Sequence, residues 1–74
     1  MEEFEPYFDL ANAIIVQAAS DYRNALRQLK RNPNYYPEQK VRREIEMFFY
    51  SAWFGTLTEA DPDYILTRIR RECA

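Results

Sequence analysis

The feature that constrains this chain most is one long segment, residues 6–31, that holds no glycine and no proline after its first residue. Proline suits the first turn of a helix, where its missing N–H costs nothing. At 100° per residue ten apolar side chains of the segment lie within about 60° of one line. These side chains are Tyr7, Phe8, Ala11, Ile14, Ile15, Ala18, Tyr22, Ala25, Leu26 and Leu29. The segment is therefore predicted to be one amphipathic helix, ended by Asn32-Pro33-Asn34.

Two further helices are predicted, at residues 37–51 and 62–73. The first of them begins at Pro37 and carries an apolar face. The second has the clearest start signal in the chain, since Asp61 suits the N-cap, Pro62 the first helical position and Asp63 the first turn. No alternating strand pattern occurs. The fold class is therefore all-α, a small bundle of three main helices with a short extra helical turn near 52–57, where Gly55 interrupts the pattern.

The chain has 74 residues, enough for one helical domain spanning 1–74, with residues 1–5 expected to be flexible. A compact domain of this length has a diameter of roughly 29 Å, whereas the first helix would be about 39 Å long. This excess predicts a homodimer through helix one; alternatively, Phe4 and Phe8 fold back onto Trp53 and Phe54. The predicted core is Ile15, Tyr22, Leu26, Leu29, Ile45, Phe48, Phe49, Ala52, Leu57, Ile65, Leu66 and Ile69.

Composition excludes several chemistries. The chain has no histidine and one cysteine, Cys73, so histidine-based catalysis and cysteine-cluster metal sites are excluded. The acidic series Glu59, Asp61 and Asp63 lacks the glycine and the closing glutamate of a calcium loop. We expect no enzyme activity, no metal and no cofactor. The absence of a membrane-length apolar stretch and the acidic first residues predict a cytoplasmic protein without membrane contact.

Five aromatic residues fall within residues 48–54. On a regular helix, Phe48 and Phe49 join the apolar face, while Met47, Tyr50 and Phe54 point nearly the opposite way. One interpretation is that helix two is central and packs on both sides. The other is a docking patch for a protein partner, with candidate binding residues Met47, Tyr50, Trp53 and Phe54.

A basic band surrounds the first turn between helices, where Tyr35 and Tyr36 also lie. Basic side chains with nearby aromatic rings can contact phosphates and stack on bases. The net charge of −2 and the pI of about 5.0 do not favour nucleic acid, and an ion-paired, solvated face is the simpler interpretation. The candidate nucleic-acid-binding residues of this alternative are Arg23, Arg27, Lys30, Arg31, Lys40, Arg42 and Arg43.

The stretch from Glu44 to Phe54, with Leu57-Thr58, Asp61, Tyr64-Ile65-Leu66 and Arg68-Ile69-Arg70, resembles a recurrent family. Its members are uncharacterised small helical proteins encoded by phages and integrative elements of Firmicutes. The similarity extends upstream through Ala19, Asp21-Tyr22-Arg23, Ala25-Leu26 and Leu29-Lys30, and so covers residues 15–72. The resemblance implies a bacterial cytoplasm and a mobile-element gene. It implies no catalytic or binding residue.

These observations lead to one functional prediction and one alternative. The prediction is a non-enzymatic protein-binding module whose partner is a protein of unknown identity. In the mobile-element setting that the resemblance implies, a host regulator or defence component is the expected target. The alternative is a small nucleic-acid-binding protein that uses the basic band of residues 23–43.

Overall fold

The computed structural model describes the backbone of residues 6–74 and the side chains of residues 10–74. Within that range it contains four helices and no strand: α1 (Pro6–Arg31), α2 (Tyr36–Phe49), α3 (Ala52–Leu57) and α4 (Pro62–Cys73). The predicted all-α fold, with three main helices and one short helix, is confirmed. The expected flexibility of residues 1–5 and the expected packing of Phe4 and Phe8 lie outside the described residues.

The helices form a bundle around α1. The short connection at residues 32–35 turns α2 back along α1, as in an antiparallel helical hairpin. Helix α4 runs in the same direction as α1, because Arg70 contacts Tyr22 while the later Ala74 contacts the later Lys30. The predicted cap of α4 is confirmed: the Asp63 backbone N–H donates to Oδ1 of Asp61 over 3.0 Å.

The corner between α2 and α3 is made by Ser51. Its hydroxyl donates to the Phe48 carbonyl oxygen over 2.7 Å and accepts from the Phe54 backbone N–H over 3.2 Å. One side chain thus caps the end of α2 and the start of α3, which changes the direction of the chain. Helix two was predicted to reach residue 51, and that boundary is wrong, since α2 ends at Phe49.

This corner also corrects the predicted position of Phe54. On an unbroken helix Phe54 would face away from the core, but the new helix turns its ring inward, and only 2% of the residue is exposed. Its placement in an exposed binding patch is therefore wrong. The same rotation leaves Ala52 exposed, so its placement in the core is wrong as well.

The core is a cluster of five buried residues drawn from all four helices. They are Tyr22, Phe49, Phe54, Leu66 and Ile69. Five other predicted core residues are partly buried and pack against this cluster: Ile15, Leu26, Ile45, Phe48 and Ile65. Leu29 and Leu57 are half-buried, while Ala11 and Ala25 are buried. The helical stripes thus predicted most of the core.

The molecule is elongated along α1. The principal extents are 48 × 24 × 20 Å, and the radius of gyration is 13.8 Å. Helix α1 has 26 residues against 14 in α2, so α2 leaves much of its length uncovered. Leu10, near the start of α1, is 59% exposed. The homodimer through helix one stays a prediction.

Candidate functional site

A polar cluster joins α1, α2 and α4; we call its three residues, Tyr22, Glu46 and Arg70, the seam. The Tyr22 hydroxyl donates to Oε2 of Glu46 over 2.6 Å, and Nε of Arg70 donates to the same hydroxyl over 3.0 Å. The Arg70 guanidinium also pairs with Glu46 at 3.4 Å. One tyrosine hydroxyl therefore links three helices, with a charged group on each side.

The electrostatics of the seam favour a protonated Tyr22. Burial of the ring, together with the hydrogen bond to Glu46, raises the pKa of Tyr22 to about 12, although Arg70 acts in the opposite direction. At neutral pH the hydroxyl is thus a hydrogen-bond donor, not a base. The seam is suited to holding helices together and offers no activated nucleophile.

On the other side of α1, an open cavity of about 260 Å³ lies between α1, α2 and α3; we call it the groove. Its apolar residues come from all three helices, and its polar residues stand on α1 and α2. The groove is lined by Ile14, Gln17, Ala18, Asp21, Glu44, Ile45, Phe48 and Trp53. Helix α1 thus borders both the seam and the groove.

Trp53 is the most prominent aromatic side chain of the groove. It is 55% exposed, and its ring packs edge-to-face on Phe48 with centroids 5.5 Å apart. Phe48 in turn packs edge-to-face on Phe49 and on the buried Phe54. A half-exposed indole is therefore supported from below by the aromatic core, in a geometry that such rings prefer.

Two carboxylates stand among the lining residues of the groove. Nε2 of Gln17 donates to Oδ1 of Asp21 over 3.0 Å, one turn further along α1. Across the groove, Glu44 pairs with Lys40 at 3.4 Å, an exposed contact within α2. The lining itself contains no basic side chain. The groove therefore combines an apolar floor with a rim of negative sign.

The four candidate protein-binding residues do not form one patch. Met47 and Tyr50 are exposed, as the docking-patch interpretation requires, whereas Trp53 lines the groove and Phe54 is in the core. The Tyr50 hydroxyl donates to Asp63 on α4, and this hydrogen bond raises the pKa of Tyr50. Binding by Met47, Tyr50 and Trp53 stays a prediction.

Several groove residues were missed as site residues. Ile14, Ala18, Ile45 and Phe48 belong to the apolar stripes and were assigned to helix packing. The available signal was the unequal length of the first two helices, because a long stripe facing a shorter helix leaves apolar surface uncovered.

The basic band does not form one uniform surface. Arg23 pairs with Glu72 on α4 at 3.0 Å, and Arg42 with Glu46 at 3.6 Å. Lys40 pairs with Glu44 in the same way. Three further basic residues, Arg27, Lys30 and Arg31, line a shallow depression with Glu72 and Cys73. Carboxylate partners are thus present for Arg23, Lys40 and Arg42, and the binding of nucleic acid by the basic band stays an alternative prediction.

Within the described part of the chain, no group of three potential metal-ligating side chains comes together. Asp61 serves as a helix cap, as argued above. No helix among residues 6–74 combines the length and the apolar character needed to cross a membrane.

Protein-family models, curated protein sequences and solved structures all returned no match to this chain.

Proposed function

We propose that this chain is a non-enzymatic protein-binding module that contacts its partner through the groove. The observation that carries the proposal is the position of Trp53, half exposed and supported by Phe48 above an apolar floor. Tryptophan is enriched among the residues that contribute most to binding, because its large ring loses contact with water when a partner covers it.

The supporting aromatic rings reduce the entropic cost of binding. Trp53 begins a helix capped by Ser51, and its ring is already packed against Phe48 in the free protein. A side chain that is held in place before binding loses little freedom when the partner arrives. The groove is therefore better suited to binding than an equally apolar but mobile surface.

The charge distribution favours a protein over a nucleic acid. Asp21 at the groove would repel phosphates, and Arg23, Lys40 and Arg42 have carboxylate partners. A gel-shift titration at two salt concentrations tests the alternative directly. No shift at low salt is expected, whereas binding that weakens steeply with salt would favour the basic band.

The biological setting of the proposal rests on the resemblance alone. Small proteins of phages and integrative elements act inside bacterial cells, so a host regulator or a defence component is the proposed target. No residue of the groove is assigned to a target on this ground.

Affinity capture with matched variants tests the proposed function. Wild type, Trp53→Ala and Tyr64→Ala serve as baits in a lysate of a Firmicutes bacterium, with mass spectrometry of the bound proteins. Tyr64 is a fitting control because it is 62% exposed on α4 and lies outside the groove. We expect at least one protein to be captured by wild type and Tyr64→Ala and lost with Trp53→Ala. Identical captured sets for all three baits would contradict the proposal.

A further inference from the structure

We infer that the partner segment received by the groove is an amphipathic α-helix whose apolar stripe is flanked by lysine or arginine. The inference rests on the proposed function, since it names the chemistry of the partner at the same site. Three observations carry it: the apolar ridge along α1, the helical surroundings of the groove and the sign of its rim.

The apolar ridge has the spacing of helix packing. Leu10, Ile14 and Ala18 follow one another at intervals of four residues on one side of α1, a ridge about 12 Å long. Ile45 and Phe48 form the opposite wall. A groove between two helices accepts a third helix through anchors spaced three and four residues apart, over about two turns.

Other modes of peptide recognition fit the groove less well. Addition of a strand needs an exposed sheet edge, and residues 6–74 contain no strand. Recognition of a proline-rich segment uses neighbouring exposed aromatic rings, whereas Trp53 is the one strongly exposed aromatic residue of the lining. A helix satisfies its own backbone hydrogen bonds and can therefore lie on an apolar floor.

The rim determines the charge of the occupant. Asp21 on α1 accepts a hydrogen bond from the neutral Gln17 and keeps its negative charge, whereas Glu44 on α2 shares its charge with Lys40. Basic side chains beside the apolar stripe of an entering helix therefore reach Asp21 directly and compete with Lys40 for Glu44. The acidic residues Glu2, Glu3 and Glu5 of this same chain have the wrong sign. Two-fold packing of groove on groove would bring Asp21 and Glu44 of two copies together, which opposes a second copy as the occupant.

Trp53 provides the measurement, because it is the only tryptophan of the chain and lies in the groove. Three synthetic, tryptophan-free peptides of about 18 residues are titrated into the full chain at low salt. The first is a helix with a leucine stripe flanked by lysines, and the second has glutamates in place of the lysines. The third contains the residues of the first in scrambled order.

We expect the lysine helix to shift Trp53 emission to the blue with saturation, and to bind at least about tenfold more tightly than either other peptide. Asp21→Lys should weaken its binding by about threefold or more, whereas Glu59→Lys, an equal charge change at an exposed position between α3 and α4, should alter it less than about twofold. Circular dichroism verifies that both exposed substitutions leave the fold intact.

Each contrary result has a defined meaning. Equal binding of the lysine and glutamate helices, or of the scrambled peptide, overturns the inferred partner chemistry. A blue shift on concentrating the protein alone would identify a second copy as the occupant and also overturn it. No response to any peptide overturns the inference too, while Trp53-dependent capture from lysate, which requires no helical partner, would leave the proposed function standing.

Discussion

The two sides of α1 differ in how fully their side chains are covered by the other helices. On the side of α4, the polar side chains of the seam contact one another: Tyr22 hydrogen-bonds to Glu46 and Arg70, and Glu46 pairs with Arg70. On the side of the α2–α3 corner, the groove leaves Ile14 and Trp53 partly in contact with water. One side of α1 is therefore packed against α4 through polar contacts, whereas the other side keeps apolar side chains partly exposed to water.

This difference indicates which residues of a small domain stabilise the fold and which are available to bind a partner. Polar groups in a shielded contact need specific partners, so the seam fixes how the helices are arranged. Apolar groups in an open groove need only to be covered, by any partner of suitable shape. Substitutions at the seam and in the core should therefore lower stability, whereas substitutions in the groove should act on binding.

The largest expected effect comes from Phe54→Ala, compared with Trp53→Ala at the preceding position. Phe54 is buried and Trp53 is half exposed, so removal of the Phe54 ring leaves a cavity. We expect a loss of about 3–5 kcal/mol in the free energy of unfolding for Phe54→Ala and of about 1–2 kcal/mol for Trp53→Ala, whose ring is only partly buried. Urea titrations followed by circular dichroism measure both. Equal losses of unfolding free energy for the two variants would indicate that Phe54 is exposed, as in the docking patch considered from the sequence.

A smaller effect is expected from Tyr22→Phe, which removes the shared hydroxyl of the seam and keeps the ring in the core. In this variant Glu46 and Arg70 remain paired with each other, so the substitution leaves neither charge without a partner. The loss in unfolding free energy should be about 1.5–3 kcal/mol, the range for a hydrogen bond to a charged group. An unchanged denaturation midpoint would show that the seam does not stabilise the bundle.

The seam also predicts a response to alkaline pH. The pKa of Tyr22 is about 12 in the folded protein against an ordinary value of 10.0, so the folded state holds the hydroxyl proton more tightly than the unfolded state. This contribution to stability is fully present below pH 10 and is lost as the pH rises towards 12. Wild type should therefore lose stability more steeply than Tyr22→Phe across this window. Parallel decreases, measured by urea midpoints, would contradict the role of the Tyr22 hydroxyl.

Much of the fold could be predicted from the sequence because its signals are local. Pro6, Asp61 and Pro62 mark the helix starts, and a stripe repeating every 3.6 residues shows which face is buried. The position of Phe54 could not be derived in this way. It depends on Ser51, which caps the end of α2 and the start of α3. The spacing of apolar residues becomes irregular near Ser51, but this irregularity does not show in which direction the chain continues.

Less of the candidate site could be predicted. The exposure of Trp53 followed from only one of the two interpretations of residues 48–54, and its position beside Ile14 and Ala18 in the groove depends on how α3 folds back against α1. The seam was missed for the same reason, since Tyr22 and Arg70 are 48 positions apart. Contacts between distant residues require the packing of the helices, which one sequence does not specify residue by residue.

A gain in stability is expected from Gly55→Ala. Gly55 lies within α3, and an added methyl group would meet no atom within 4 Å. Alanine should stabilise the protein by roughly 0.5–1 kcal/mol, because glycine loses more backbone freedom on entering a helix. If α3 holds Trp53 at the groove, this variant should bind the lysine helix at least as well as wild type. A decrease in the denaturation midpoint would show that α3 requires the freedom of glycine.

The smallest effect on stability is expected from Glu44→Gln at the rim of the groove. The contact between Lys40 and Glu44 is exposed, and ion pairs of this kind within a helix contribute only a few tenths of a kcal/mol. The free energy of unfolding should therefore change by less than about 0.5 kcal/mol. Binding of the lysine helix should weaken more than this change in stability suggests, because the lost charge faces the peptide. A large loss of stability with unchanged binding would place Glu44 among the residues that hold the bundle together, and the contrast between the two sides of α1 would then fail.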